Sequence, residues 1–425
     1  MPSSSTTVDP AIIRALSLEG TSSKITTHGG SGFSSTFRIT TSTRKSSTTT
    51  AESPSTSIFV KTSSAPGAEV MFQGEHASLN AIHDAVPSLC PEAFAWGRLD
   101  LEPGGYFLAT EFLDLGGGGG GGRRSGKGKG TGRSGTGSGM SLAEKLAKLH
   151  STPAPVPDGH DEPQFGFPVP TCCGDTEQDN SFTSSWADFF ARRRLLAVLD
   201  RGEKNNGSPE AQLRRTVERV AGEVVPKLLG DGHLGVSGGR GDGNNSKRGI
   251  VPVVVHGDLW SGNQSRGRFV GRRRSRRRLR KQNQGHAPRG HDQEKETDKY
   301  ASDGDADPDL QAVEEDEYDE EEHEYEDEDD YEEVIYDPAS CYAHNEYDFG
   351  IMHMFGGFGS AFWNEYHALV PKTEPVGEYD DRVRLYESYH HLNHWAIFGG
   401  GGYKGGAMRL LKGLLAKYGG GGGGE

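Results

Sequence analysis

The chain has 425 residues, with 46 Lys or Arg against 61 Asp or Glu, for a formal net charge of −15. Only 32% of it is hydrophobic and 62 residues are glycine, so part of the chain lacks the apolar surface to offset the entropy lost on folding. No apolar run approaches the ~18 residues of a membrane-spanning helix. Four cysteines and no secretory leader exclude a disulfide scaffold and suit a reduced, cytoplasmic setting. The Ser/Thr-rich start leaves organellar targeting open. The acidic balance argues against a general nucleic-acid binder.

At the N-terminus, Asp9 is a candidate helix cap ahead of Pro10, with Ile12, Ile13, Leu16 and Leu18 as apolar positions, so folding is expected to begin near Asp9. Strands are expected at about 23–28, 33–40 and 57–62, the first two joined by a glycine turn over His28–Phe33. Leu79, Ile82 and Val86 mark a helix over 74–86, ended by Pro87 and Pro91. Tyr106 to Leu113 reads as a buried strand. Together, residues 9–115 form an expected β-rich lobe.

Residues 116–139 open with seven glycines and read as a disordered insertion. Beyond them the pattern turns helical. Ser141 and Glu144 form a capping box, Trp186 to Leu199 is a second helix, and Ser208-Pro209 opens a third carrying Leu213, Val217, Val220 and Val224. Residues 235–249 are another Gly/Asn/Ser-rich segment, and Ile250 to Val255 reads as a strand. Residues 264–333 hold ten basic residues from Arg266 to Lys281, then sixteen acidic ones from Glu314 to Glu333, and are expected to be a solvated, disordered linker. Setting these three segments aside leaves 316 residues. Helices are expected at 346–354, 359–369 and 380–397, then a stretch carrying Met408, Leu411, Leu414 and Leu415, then a glycine tail over 419–425. The expected class is α+β and bilobal: a small β-rich lobe over a larger α-rich lobe formed by 140–263 and 334–418.

The strongest chemical signal is His256-Gly257-Asp258-Leu259-Trp260-Ser261-Gly262-Asn263 after a buried strand. Phosphoryl transfer needs a carboxylate facing the attacking hydroxyl and oxygens for Mg²⁺. Asp258 and Asn263, five apart, can come from one short loop. Asp337, after Val334-Ile335-Tyr336, is the candidate second metal ligand. Lys61 ends an apolar strand and Glu75 follows fourteen residues on, a spacing at which a strand lysine pairs with a helix glutamate and reaches phosphates. Gly30 and Gly32 precede both, where backbone N–H groups can approach phosphate. Singly, each has a duller reading as a hairpin turn, a solvated lysine or a helix-terminal acid. Their order along the chain favours one ATP–Mg²⁺ site. Cys172-Cys173 suits neither a zinc knuckle nor an unstrained disulfide. His390, His391 and His394 read as a polar helix face with a satisfied core histidine.

Several stretches resemble the fructosamine (ketosamine) kinases, including protein-ribulosamine 3-kinases. They are Phe59-Val60-Lys61, Met71-Phe72-Gln73-Gly74-Glu75, Phe165-Gly166-Phe167-Pro168, Thr171-Cys172-Cys173-Gly174-Asp175, His256 through Asn263, Asp337-Pro338-Ala339, Tyr342, Glu346-Tyr347-Asp348, Phe355-Gly356-Gly357-Phe358 and Leu392-Asn393-His394. The resemblance implies a protein-kinase-like fold close to the aminoglycoside phosphotransferases. It also implies ATP-dependent phosphorylation of the 3-hydroxyl of ketoamine sugars, on glycated proteins or as small molecules. Asp258 would face the hydroxyl, Lys61 the α/β-phosphates with Glu75 fixing it, Asn263 and Asp337 the Mg²⁺, and Glu111-Phe112-Leu113 the adenine. The Pro-Ala after Asp337 and the lack of an Arg before Asp258 separate the chain from ordinary protein kinases. Ser31 stands where some relatives carry a cysteine. Two other classes share many of these residues: a kinase of a free amino alcohol or aminoglycoside, and a non-enzymatic interaction protein on a kinase scaffold.

Overall fold

The computed structural model describes residues 7–31, 34–42, 56–115, 139–207, 209–235, 249–270 and 331–420. All of them fall in one of the chain's two units, Met1–Gly271 with Tyr331–Glu425. The masses of the 116–139, 235–249 and 264–333 segments lie outside the described residues.

A short helix α1 (Pro10–Ala15) opens the fold, and Asp9 caps it by accepting from Ala11 N–H at 2.8 Å. The same carboxylate accepts from the N–H groups of Asp100 and Leu101, tying the start of the chain to a loop of the sheet. The Val, Ile, Phe and Thr content of the next stretch suits a pleated, half-buried surface. It forms β1 (Ser22–Ser31), β2 (Ser34–Ser42) and β3 (Thr56–Ser63), followed by helix α2 (Ala68–Ala85), then β4 (Ala93–Arg98) and β5 (Tyr106–Glu111). The five strands make one antiparallel sheet in the order β1-β2-β3-β5-β4. Helix α2 starts six residues before the expected position, so Glu75 sits in its second turn. Strand β4 was not expected, because the prolines flanking it read as pure punctuation. Gly30 lies within β1 opposite Ser35 and not in the turn, and Gly32 lies outside the described residues.

Two clusters of buried apolar residues serve the two lobes. The smaller holds Val8, Ile12, Ile39, Ile58, Val60 and Phe107 beneath the sheet. The larger runs from α2 through the helical lobe. That lobe begins with α3 (Leu142–Ser151), whose Ser141–Glu144 capping box forms as expected. A long helical run passes from α4 (Trp186–Phe190) through a π segment, Ala191–Leu196, into α5 (Ala197–Asn206). Next come α6 (Ala211–Arg219) and α7 (Val225–Leu229). Ser208, expected to open this helix, lies outside the described residues. Helices α8 (Phe349–Phe355), α9 (Ser360–Leu369), α10 (Tyr379–Phe398) and α11 (Tyr403–Tyr418) complete the lobe. The glycine tail begins later than expected: Gly420 N–H still bonds Glu223 at 3.0 Å.

The linker reading of 264–333 needs correction at both ends. β6 (Leu113–Asp114), β10 (Gln264–Phe269) and β11 (Glu332–Ile335) form a three-stranded sheet. Between β6 and β10 in chain order lie three short strands: β7 (Thr171–Cys173) pairs with β8 (Thr176–Gln178), and β9 (Val253–Val255) pairs with β12 (Cys341–Ala343). The expected strand over 250–255 is thus shorter. Arg268 pairs with Asp114 at 2.9 Å and its guanidinium lies over the Tyr331 ring, so this arginine is folded in and not solvated. At the acidic end, buried Lys145 donates to Ser88 O, Glu333 O and Glu332 Oε2, fixing β11 against α3.

Candidate active site

The β10–β11 hairpin explains how residues 74 positions apart share a cleft. Gln264 pairs with Ile335, and Tyr336 N–H donates to Asn263 O at 3.1 Å. Asn263 therefore faces the start of Asp337's loop. Strand β3 delivers Lys61 from the other lobe. Its ammonium lies 2.6 Å from Glu75 Oε1 and 2.5 Å from Asp337 Oδ1. Burial works against that ammonium, but the Glu75 and Asp337 carboxylates outweigh it and raise its pKa. Burial likewise opposes the Asp337 carboxylate, and the facing Lys61 holds its pKa below the usual range. Asp337 has a left-handed backbone, φ 58°, rare for a residue with a Cβ and a mark of a position held by its surroundings.

The loop carrying Asp258 is built on backbone hydrogen bonds. Buried Asp348, just before α8, accepts from His256 N–H at 2.8 Å and Gly257 N–H at 2.7 Å. Its other neighbour is buried His150, whose Nε2–H donates to Asp348 Oδ2 at 3.2 Å while Nδ1 accepts from Tyr366 O–H. Burial would raise the Asp348 carboxyl, but these donors hold its pKa low. His256 is neutral: Nδ1 accepts from Asp258 N–H and Nε2–H donates to Tyr336 O at 3.0 Å. Burial lowers its pKa accordingly. Gly257 has φ 82°, and a Cβ there would sit 2.1 Å from Ala339 O, so only glycine fits this crossing of the two loops.

Asn263 Nδ2 donates to Asp258 O at 2.9 Å and lies 3.4 Å from Asp258 Oδ2. Its Oδ1 takes no hydrogen bond among the described residues. Asp337 Oδ2 is equally unpartnered there, opposite the Oδ1 held by Lys61. Two hard oxygens are what Mg²⁺ asks of a protein when phosphates and waters complete its shell, so the residues fit that ion. Among the described residues no group of three or more His, Cys, Asp or Glu forms a self-sufficient metal cluster. Burial, with the Asp337 charge adding, pushes the Asp258 carboxyl up to about 8. A cation between Asn263 and Asp337 would favour its ionised form.

Of the expected nucleotide residues, Glu111 ends β5 while buried Phe112 and strand residue Leu113 join the two sheets. Phe112 O accepts from Val270 N–H, and the Arg38 guanidinium lies 4.3 Å above its ring. The structure brings Lys61, Glu75, Asp258, Asn263 and Asp337 together and sets 111–113 at the junction between the lobes. The expectation for the histidines is corrected in part. His390 is buried, yet neither ring nitrogen has a partner among the described residues. The four cysteines are all free.

Beside Asp258 lies a cavity of about 320 Å³, lined also by Cys173, Trp260, Phe355, Asn393 and His394. The indole of Trp260 folds over Gly262, where a Cβ would meet it at 2.1 Å. Two features of this site escaped the sequence reading: the Asp348 anchor and the contribution of α10 to the cavity. The only sequence signal for either was the family-like Glu346-Tyr347-Asp348 and Leu392-Asn393-His394.

A small sheet lobe, a helical lobe, and a lysine, three carboxylates and an asparagine where they meet define a phosphotransferase of the protein-kinase-like fold. Solved structures agree on the fold. One provisionally assigned as fructosamine-3-kinase from Thermobifida fusca has a TM-score of 0.58, with 18% identity, covering 96% of this chain and 100% of that one. Another, with the same provisional assignment, from Haemophilus somnus has a TM-score of 0.55 with 17% identity, covering 95% and 96%. The chain belongs to the fructosamine kinase family, whose sequence model matches residues 19–271 and 321–417. Among curated relatives, ketosamine-3-kinase of Mus musculus is 28% identical over 363 residues, 84% of this chain and 87% of that protein. The chloroplastic protein-ribulosamine 3-kinase of Arabidopsis thaliana is 27% identical, over 84% of this chain and 76% of that one.

Proposed function

We propose that this protein is an ATP-dependent ketosamine 3-kinase acting on ribulosamine or fructosamine adducts, including those on protein lysines. The observation that carries the reading is the Lys61–Glu75–Asp337 ion triad standing against the Asp258–Asn263 loop, with a sugar-sized cavity on the far side of Asp258.

In this reading Lys61, held by Glu75, grips the α/β-phosphates, while the 111–113 segment flanks the adenine. Asn263 Oδ1 and Asp337 hold Mg²⁺, which when bound neutralises charge on the phosphate oxygens. Asp258 orients the 3-hydroxyl and takes its proton as the sugar oxygen bonds to the γ-phosphorus. The bond to the bridging oxygen breaks and ADP leaves. Most of the acceleration comes from alignment and charge neutralisation, since little covalent work falls to the protein. A phosphate at O3 weakens the ketoamine linkage, so the product class suits removal of sugar from glycated amines. Work on soluble glycated proteins suits a cytoplasmic location. Among the described residues no helix is long and apolar enough to cross a membrane.

The test is Asp258→Asn with ribulosyl-lysine as acceptor. Turnover should fall by about 10²–10⁴-fold with ATP affinity kept. Unchanged turnover would remove Asp258 from the reaction. A kinase of free amino alcohols would instead show higher kcat/KM on those than on ketoamines.

A further inference from the structure

Aromatic rings crowd the outer side of the cavity beside Asp258. Trp260 and Phe355 stand with ring centroids 5.6 Å apart, and Phe355 is 5.1 Å from His394. His394 is 5.1 Å from Tyr403 and 5.8 Å from Phe398. These rings come from four places in the chain: the Asp258 loop, the end of α8, the end of α10 and the start of α11. Three of them stay open to solvent at a cost in apolar exposure: Trp260 at 38%, Phe355 at 40% and Phe398 at 61%. Among the described residues no Lys or Arg lines the cavity, and its one acidic residue is Asp258. His394 Nδ1–H donates to His390 O at 2.8 Å, and burial lowers its pKa, so its ring contributes no positive charge at neutral pH.

Walls of π faces with a single carboxylate and no cation complement a positive charge carried on an alkyl chain. We propose that the Phe398–Tyr403–His394 wall is a specificity element that reads the protonated secondary amine of a ketoamine, the sugar lying inward at Asp258 and the alkyl arm leaving past Phe398. The inference rests on the kinase reading above and adds to it the selection of an ammonium over a neutral linkage. The exposed position of Phe398 gives the arm a path to solvent, which is what a lysine side chain of a folded protein requires.

Phosphorylation is measured on two acceptors that differ only at the linkage. One is fructosyl-propylamine, cationic at pH 7. The other is 1-O-propyl-fructose, with a neutral ether in its place. Phe398→Leu and Tyr403→Leu keep apolar bulk and remove the ring. The expected result is a wild-type preference for the amine, and a rise of about three- to tenfold in its KM in each variant. KM for the ether and for ATP should stay unchanged, which also reports that the variants fold. An equal rise for both acceptors, or no rise for either, would overturn the ammonium reading and leave the kinase reading standing. Phosphorylation of neither acceptor by the wild-type protein would overturn both.

Discussion

Asp348 carries more of the site than its distance from the chemistry suggests. It accepts from two backbone N–H groups of the Asp258 loop and from His150, all inside the core. An amide in its place has one acceptor oxygen and brings two unwanted donors, so at least one buried N–H loses its partner at about 1–3 kcal/mol. Asp348→Asn should therefore lower both the melting temperature and kcat, the latter by about tenfold or more, with KM for ATP little changed. A variant as active as wild type would contradict the anchoring role. Lys61→Met is the complementary case. It leaves Glu75 and Asp337 facing each other without a cation, and kcat/KM should drop by about 10²–10³-fold. Activity close to wild type would show that phosphate binding does not depend on this ammonium. Both roles depend on placement, but only one was readable in advance. Lys61 and Glu75 sit in local patterns of strand and helix. Asp348 works through backbone groups 91 and 92 positions earlier, which no local pattern encodes.

At the scale of elements, the β10–β11 hairpin governs the metal site. The register Gln264 with Ile335 fixes Asn263 against Tyr336, and the chain leaves and re-enters the hairpin at its opposite end, by Phe269 and Glu332. Six residues of strand, roughly 20 Å, separate that end from Asn263. Replacing residues 272–330 by a short Asn-Gly turn should keep kcat within a few-fold, measured with a ketoamine acceptor. Loss of activity in a variant that still melts cooperatively would mean that the charged segment takes part in the reaction. The sequence hides this hairpin. Gln-Ser-Arg-Gly-Arg-Phe lacks apolar alternation and borders a basic run, so composition outweighed strand propensity. Its stability comes from partners distant in sequence: Asp114 for Arg268, and Lys145 for Glu332. The elements that were legible are those with strong local signals, such as the Ser141 capping box and the Asp9 cap. Strand β4 was hidden for the opposite reason, being short and enclosed by prolines.

Across the whole molecule, burial of neutral histidines sets the response to acid. Burial lowers His344 to about 4 and His390 to about 3. In the unfolded chain each takes up a proton near pH 6.5, while the folded protein stays neutral until much lower pH. A lowered histidine pKa therefore means stability that is whole above about 6.5 and falls as pH drops toward 4 and then 3. The slope is about 1.4 kcal/mol per pH unit for each group. Asp348, with its lowered carboxyl pKa, adds a further loss only as pH falls below the ordinary aspartate value. Denaturant midpoints should decline steadily from pH 6.5 to 4.5, and His390→Leu should make the decline shallower. A flat profile over that range would contradict the neutral burial of both rings.

The central claim is that this cleft moves the γ-phosphate of ATP to the 3-hydroxyl of a ketoamine. Incubating the full chain with MgATP and a ribulosyl-lysine peptide, then locating the phosphate by ³¹P NMR, tests it most directly. The predicted result is one phosphate on O3 for each ADP formed, absent with Asp258→Asn. Phosphate on another sugar oxygen or on the peptide, or no transfer at all, would contradict it.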